Sequence, residues 1–130
     1  MGYMRHHAIV VTSWSDEDIA RAHAKAREIF EAPWGIGHRP FAVSPVLNAA
    51  INMGGTFIIP PDGSKEGWST SDDGDYRRSQ FIAWLETTRY EDGSGPLDWV
   101  EIQYGDDDLD TRIVRDSDAA ARARDAATKE

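Results

Sequence analysis

Residues 5–13, RHHAIVVTS, place the tightest constraint on what this chain can fold into. The segment is short and rich in β-branched residues, which predicts a strand. Ala8, Ile9, Val10 and Val11 are apolar at successive positions, so both faces of that strand need some cover. That pattern belongs to a central strand of a sheet. A helix signal follows directly. Ser15 is a good N-cap and Asp18 stands three residues on, in a variant of the capping box. Asp16, Glu17 and Asp18 suit the positive end of the helix dipole. Ile19, Ala22, Ala26, Ile29 and Phe30 make one apolar stripe, and Pro33 stops the helix.

The remaining segments extend this alternation. Residues 34–40, WGIGHRP, form a loop. Strands are expected over 41–47 and 56–59, with Gly54-Gly55 as a turn or bulge and the two strands paired antiparallel. Residues 60–75 are irregular, and Pro61-Asp62-Gly63 is a turn signal. A second helix is expected over 75–90, with Phe81, Trp84 and Leu85 on one side. Residues 97–104 alternate as a strand, with Val100, Ile102 and Tyr104 on one face and Trp99, Glu101 and Gln103 on the other. A short strand over 111–115 completes a hairpin. Residues 118–128 are Ala-rich, helical by propensity alone.

This order predicts an α+β two-layer sandwich of ferredoxin-like type, βαββαβ. Two helices cover one face of an antiparallel sheet, with a C-terminal hairpin and an Ala-rich helix appended. A chain of 130 residues accommodates one such domain, over 1–115, with 116–130 as a helical tail. The expected core is Ile9 or Val10 with Ile29, Phe30, Phe57, Ile59, Phe81, Leu85, Val100 and Ile102. The mixed face carrying Trp99, Glu101 and Gln103 is then the outer one, and a homo-oligomer would cover it.

Charge narrows the partners. Fourteen Lys and Arg stand against 23 Asp and Glu, a formal net charge of −9. That balance opposes binding to nucleic acid or to an anionic membrane. With no cysteine there is no thiolate metal site or cysteine nucleophile, and a reducing cytoplasm fits. No apolar run approaches the roughly 18 residues of a transmembrane helix, and residues 1–7, MGYMRHH, lack the apolar region of a signal peptide.

One segment gathers cations, hydroxyls and an aromatic ring in this acidic chain. Residues 62–68, DGSKEGW, lie between a strand and a helix, where sites commonly form. Lys65 can hold an anion, Ser64 can donate a hydrogen bond, Trp68 can stack on a ring, and Arg77 can grip a phosphate. The competing reading is structural: Asp72, Asp73 and Asp75 sit at the same helix start, and if they cap it and pair with Arg77, no anion is held there. The glycine–lysine spacing of a P-loop is absent.

Other motifs are weaker. His6 and His7 point to opposite faces of a strand, and His23 and His38 have no metal-ligand spacing, so neither metal nor cofactor is expected. Tyr104-Gly105-Asp106-Asp107 matches the catalytic turn of RNA-directed polymerases, but a chain this small has no room for their other parts. Asp106, Asp108 and Asp110 have calcium-loop spacing without the turn glycine or the bidentate glutamate, which favours a solvated turn. No nucleophile elbow surrounds any serine. Asp62, Glu66 and Glu101 are the carboxylates that could meet for acid–base work.

Three blocks, HHAIVVTSW, PPDGSKEGWSTSDDGDYRRSQFIAWL and LDWVEIQYGDD, resemble a group of small proteins encoded by tailed bacteriophages and prophages. The resemblance spans residues 5–110 and is most specific in the middle block. It implies a viral accessory protein of the bacterial cytoplasm and brings no catalytic residues. Three functions follow, in this order. The first is non-enzymatic capture of a small anionic ligand, nucleotide-like, through Ser64, Lys65, Trp68 and Arg77. The second is antagonism of a host protein by an acidic, nucleic-acid-mimicking surface at residues 91–92 and 106–110. The third is a small carboxylate-dependent hydrolase.

Overall fold

The computed structural model describes residues 4–35, 37–105 and 109–128. The chain folds as an α+β two-layer structure. A five-stranded antiparallel sheet carries two long helices on one face. The elements are β1 (His6–Ser13), α1 (Asp16–Phe30), β2 (Leu47–Asn48), β3 (Gly55–Ile59), α2 (Ser69–Thr87), β4 (Asp98–Tyr104), β5 (Arg112–Asp116) and α3 (Ala119–Thr128). Strand order is β2-β3-β1-β4-β5. As expected, β1 is central, pairing with β3 on one side and β4 on the other.

Helix α1 forms as its caps dictate. The Ser15 hydroxyl accepts from the Asp18 amide at 3.2 Å. Ile19, Ala22, Ala26 and Phe30 are buried against the sheet. They meet Ile9, Val11, Phe57, Ile59, Phe81 and Leu85 in one core. Ile29 is partly buried beside it.

Three expectations are corrected. The strand predicted over 41–47 forms a ladder only at Leu47–Asn48. Pro45 has no amide to donate, and the preceding chain is tied down by single bonds instead: Ser44 N–H to Ile58 O, and Ile58 N–H to the Ser44 hydroxyl. Helix α2 starts at Ser69 rather than 75. Residues 69–75 are expected from sequence to be irregular, yet Gly74 is helical and buried, and the space its side chain would fill is taken by another group. A Cβ there would lie 2.1 Å from Asp62 Oδ2.

The third correction concerns which face of β4 is the core. Trp99, Glu101 and Gln103 are buried under the helices, while Val100 and Ile102 lie on the opposite, open face. The register decides this. Trp99 pairs with Val11 and Glu101 with Ile9, both core-facing residues of β1. The glutamate is tolerated inside because arginines meet it there. The motive for a dimer through the Trp99 face therefore disappears.

Helix α3 follows β5 and the turn at Ser117-Asp118, and its described side chains are exposed. Among the described residues no helix is long and apolar enough to cross a membrane.

Candidate functional site

The four residues singled out by sequence separate into two environments. Arg77 and its neighbour Arg78 go inward. Arg77 is buried, and its guanidinium donates to the carbonyls of Ile29 (3.0 Å), Ala32 (2.7 Å) and Pro33 (2.8 Å) at the end of α1. It also pairs with Asp73 at 3.2 Å and lies over the Trp34 ring at 4.3 Å. A cation at a helix C-terminus meets unpaired carbonyls and the negative end of the dipole. Arg77 is thus a C-terminal cap for α1 supplied by α2. The N-cap of α2, Trp68, makes no side-chain cap hydrogen bond. Asp73 pairs with Arg77 and Asp75 with Arg78, and no side chain caps α2, so of the structural alternative the pairing is present and the capping is not; Arg77 itself is buried in contacts with α1.

Arg78 is only 4% exposed and joins three carboxylates. It donates to Asp62 at 3.1 Å and to Asp75 at 2.6 Å, and its Nε stands 3.9 Å from Glu101. Glu101, 2% exposed, also accepts from Arg115. The His7 ring sits between two carboxylates, Nδ1 at 3.6 Å from Glu101 and Nε2 at 3.8 Å from Glu66, and Nδ1 makes no hydrogen bond of ordinary length. Burial pushes the Glu101 carboxyl up, but His7, Arg115 and Arg78 outweigh it and hold it below the ordinary value. Asp62, Glu66 and Glu101 do approach one another, as the hydrolase reading required, but through cations. Each is engaged by a partner: Asp62 by Arg78 and Ser64, Glu66 by His7 and Ser71, Glu101 by the arginines.

Ser64, Lys65 and Trp68 stay at the surface. A cleft of about 390 Å³ opens between the loop 34–42 and the loop 60–70. Its lining includes Trp34, His38, Arg39, Phe41, Ser64 and Trp68. One wall is held rigid by an aromatic ladder. Phe41 stacks on Trp34 at 5.3 Å and on Phe30 at 5.7 Å, and Trp34 Nε1 donates to Phe30 O at 2.7 Å. The other wall is a turn in which the Trp68 amide donates to Lys65 O at 3.1 Å. Trp68 is 51% exposed, with Lys65 Nζ 5.7 Å from its ring centroid. A bridge between Met4 and Lys65 ties this loop to the chain preceding β1.

The charges of the cleft are lopsided. Asp62 is the one carboxylate among its described lining residues, and it is paired with Arg78. Arg39 is exposed and has no ion pair or hydrogen bond among the described residues. Lys65 has no carboxylate partner among them either. The lining of the cleft therefore offers an anion one uncommitted cation, Arg39, beside an exposed indole, while Lys65 lies outside the lining, over the Trp68 ring.

The sequence grouped Ser64, Lys65 and Trp68, of which Ser64 and Trp68 line the cleft, and did not group Arg39, Trp34 and Phe41 with them. The segment 34–42 was legible as a Gly- and Pro-containing loop, but nothing in it announces that it faces residues 60–70. Among the described residues no group of three or more His, Cys, Asp or Glu could hold a metal ion. Asp106, Asp107 and Asp108 of the expected acidic turn lie outside the described residues. Comparison with protein-family models, curated proteins and solved structures gave no match.

Proposed function

We propose that this protein binds a small anionic ligand with a planar ring, nucleotide-like, in the cleft between residues 34–42 and 60–70, without transforming it. The observation that carries the reading is Arg39, without an ion pair or hydrogen bond among the described residues, lining one cleft with the exposed Trp68, over whose ring Lys65 lies, in a chain of net charge −9. The ring stacks on Trp68. Lys65 leaves the indole face for the anion, a stronger partner than a ring quadrupole. Ser64 and Thr70 line the same cleft and supply hydroxyls. A volume of about 390 Å³ suits a small molecule. The ladder of Trp34, Phe41 and Phe30 keeps one wall preformed, which lowers the cost of ordering on binding. Engagement of Asp62, Glu66 and Glu101 by partners favours a binding role over hydrolysis.

The three sequence blocks support placing this activity in a phage-type accessory protein acting in the bacterial cytoplasm. The strand order β2-β3-β1-β4, antiparallel throughout, supports the ferredoxin-like reading, with β5 added at the β4 edge.

Calorimetric titration with nucleoside mono-, di- and triphosphates tests the function. Trp68→Ala should cost about 1–3 kcal/mol of binding, the worth of one stacked base. Arg39→Ala should weaken phosphate-bearing ligands more than the parent nucleosides, with the melting temperature unchanged. Absence of heat from every nucleotide at millimolar concentration would refute the reading.

A further inference from the structure

The two sides of the cleft differ in what they can recognise. Arg39, in the loop 34–42, has donors only. Ser64, in the loop 60–70, has a hydroxyl, and a free hydroxyl turns to donate or to accept as its ligand requires. This one is not free. Asp62 Oδ1 accepts from the Ser64 hydroxyl and also from the Ser64 amide, the latter at 2.7 Å. A carboxylate has no proton to return, so the one proton of the hydroxyl is spent on Asp62. The lone pairs of Ser64 Oγ remain, and among the described residues no N–H or O–H donates to them.

Asp62 holds this arrangement in place. Its side chain is 10% exposed, and Oδ2 accepts from Arg78 at 3.1 Å. Gly74 of α2 backs it so closely that a methyl group would not fit between them. Turning the carboxylate away from Ser64 would also take Oδ2 from a buried guanidinium. Asp62 is thus a positioning residue that acts through Ser64. Pro60 and Pro61 line the same side and have no amide to offer a ligand carbonyl. A carbonyl placed beside Ser64 would face lone pairs with the Asp62 carboxylate behind them. An amino group placed there would find an acceptor. A phosphate would be repelled for the same reason as a carbonyl, and Arg39 draws it to the other side of the cleft.

From this polarity we infer that Ser64 selects the ring of the ligand. The ring stacked on Trp68 carries an exocyclic amino group, as adenine and cytosine do, and Ser64 Oγ accepts from it. The anionic group lies towards Arg39. The inference rests on the nucleotide-like reading given above and narrows it to amino-bearing rings over their keto counterparts.

Calorimetric titration with adenosine monophosphate and inosine monophosphate tests this, because the two differ at one ring edge, amino against carbonyl. Adenosine monophosphate should bind roughly three- to tenfold more tightly, the worth of one net hydrogen bond. Cytidine monophosphate should exceed uridine monophosphate in the same direction. In Ser64→Ala the amino and keto affinities should converge, and Ser64→Thr, which restores the hydroxyl, should keep them apart. Equal affinities in the parent protein, or a preference for inosine monophosphate, would overturn the inference and leave the nucleotide reading standing. So would a preference that survives Ser64→Ala or is lost in Ser64→Thr. Absence of binding by all four nucleotides would overturn the inference together with the reading it rests on.

Discussion

Arg77 and Arg78 on α2, and Arg39 and Lys65 around the cleft, are cations of one chain put to opposite uses. The α2 pair lies under the sheet and the end of α1, surrounded by carbonyls and carboxylates. Arg39, lining the cleft, and Lys65, over the Trp68 ring, are exposed and pair with no carboxylate among the described residues. A cation becomes structural where the fold brings enough acceptors to it, and remains available to a ligand where it does not. Local sequence points the wrong way for Arg77. It lies near the Lys65–Trp68 segment and next to several aspartates, yet its main acceptors come from residues 29–33, far back in the chain.

The largest expected effect breaks the buried side of this comparison. Arg78→Ala leaves Asp62 and Glu101 short of their counter-charge in the interior. It should destabilise the protein by about 3–5 kcal/mol in urea unfolding, as for other buried ion pairs that lose one member. This figure measures the stranded charge and not the net worth of the network. A well-packed apolar replacement of the whole cluster is often neutral or stabilising.

Gly74→Ala is next. In an exposed helix interior the change would stabilise by up to about 1 kcal/mol. Here the new methyl would meet the Asp62 carboxylate and push it from Arg78. The sign should reverse, to a loss of about 1–3 kcal/mol from overpacking, read from the urea midpoint. A stabilised Gly74→Ala would mean that Asp62 can leave Arg78 at no cost.

The smallest effect is graded with acid. Glu101 has a folded value lowered from 4.5. Its contribution is therefore fully present above pH 4.5 and is lost as pH falls through the folded value. Unfolding monitored by circular dichroism should show stability declining below that pH. In Glu101→Gln this component of the pH dependence should disappear. A parent protein with flat stability through this range would remove Glu101 from the ionised network.

Local pattern was enough for the element types, because hydrophobic period and capping act over a few residues. Ser15 caps α1 where expected, and Ile9, Phe30, Phe57, Ile59, Phe81 and Leu85 are core. The face of β4 was not readable in this way. Val100 and Ile102 look like the core side, and Glu101 and Gln103 look like the outside. Judging the face by hydrophobicity fails when the interior supplies two arginines and a histidine to a glutamate. Those partners come from α2, β5 and β1, so no window of sequence holds them together.

The candidate site divides in the same manner. Ser64, Lys65 and Trp68 share one short loop, and their grouping was visible as composition. Arg39, Trp34 and Phe41 reach it only because α1 and β3 pack side by side, bringing the loop after one next to the loop after the other. By itself, then, the sequence determined the order of the elements, much of the core and the part of one cleft wall that carries Ser64 and Trp68, since each depends on near neighbours. Only the tertiary structure decided which face of the sheet is buried and which cations are spent. Burial and charge pairing are sums over groups distant in the chain, and they exist only once the layers have closed.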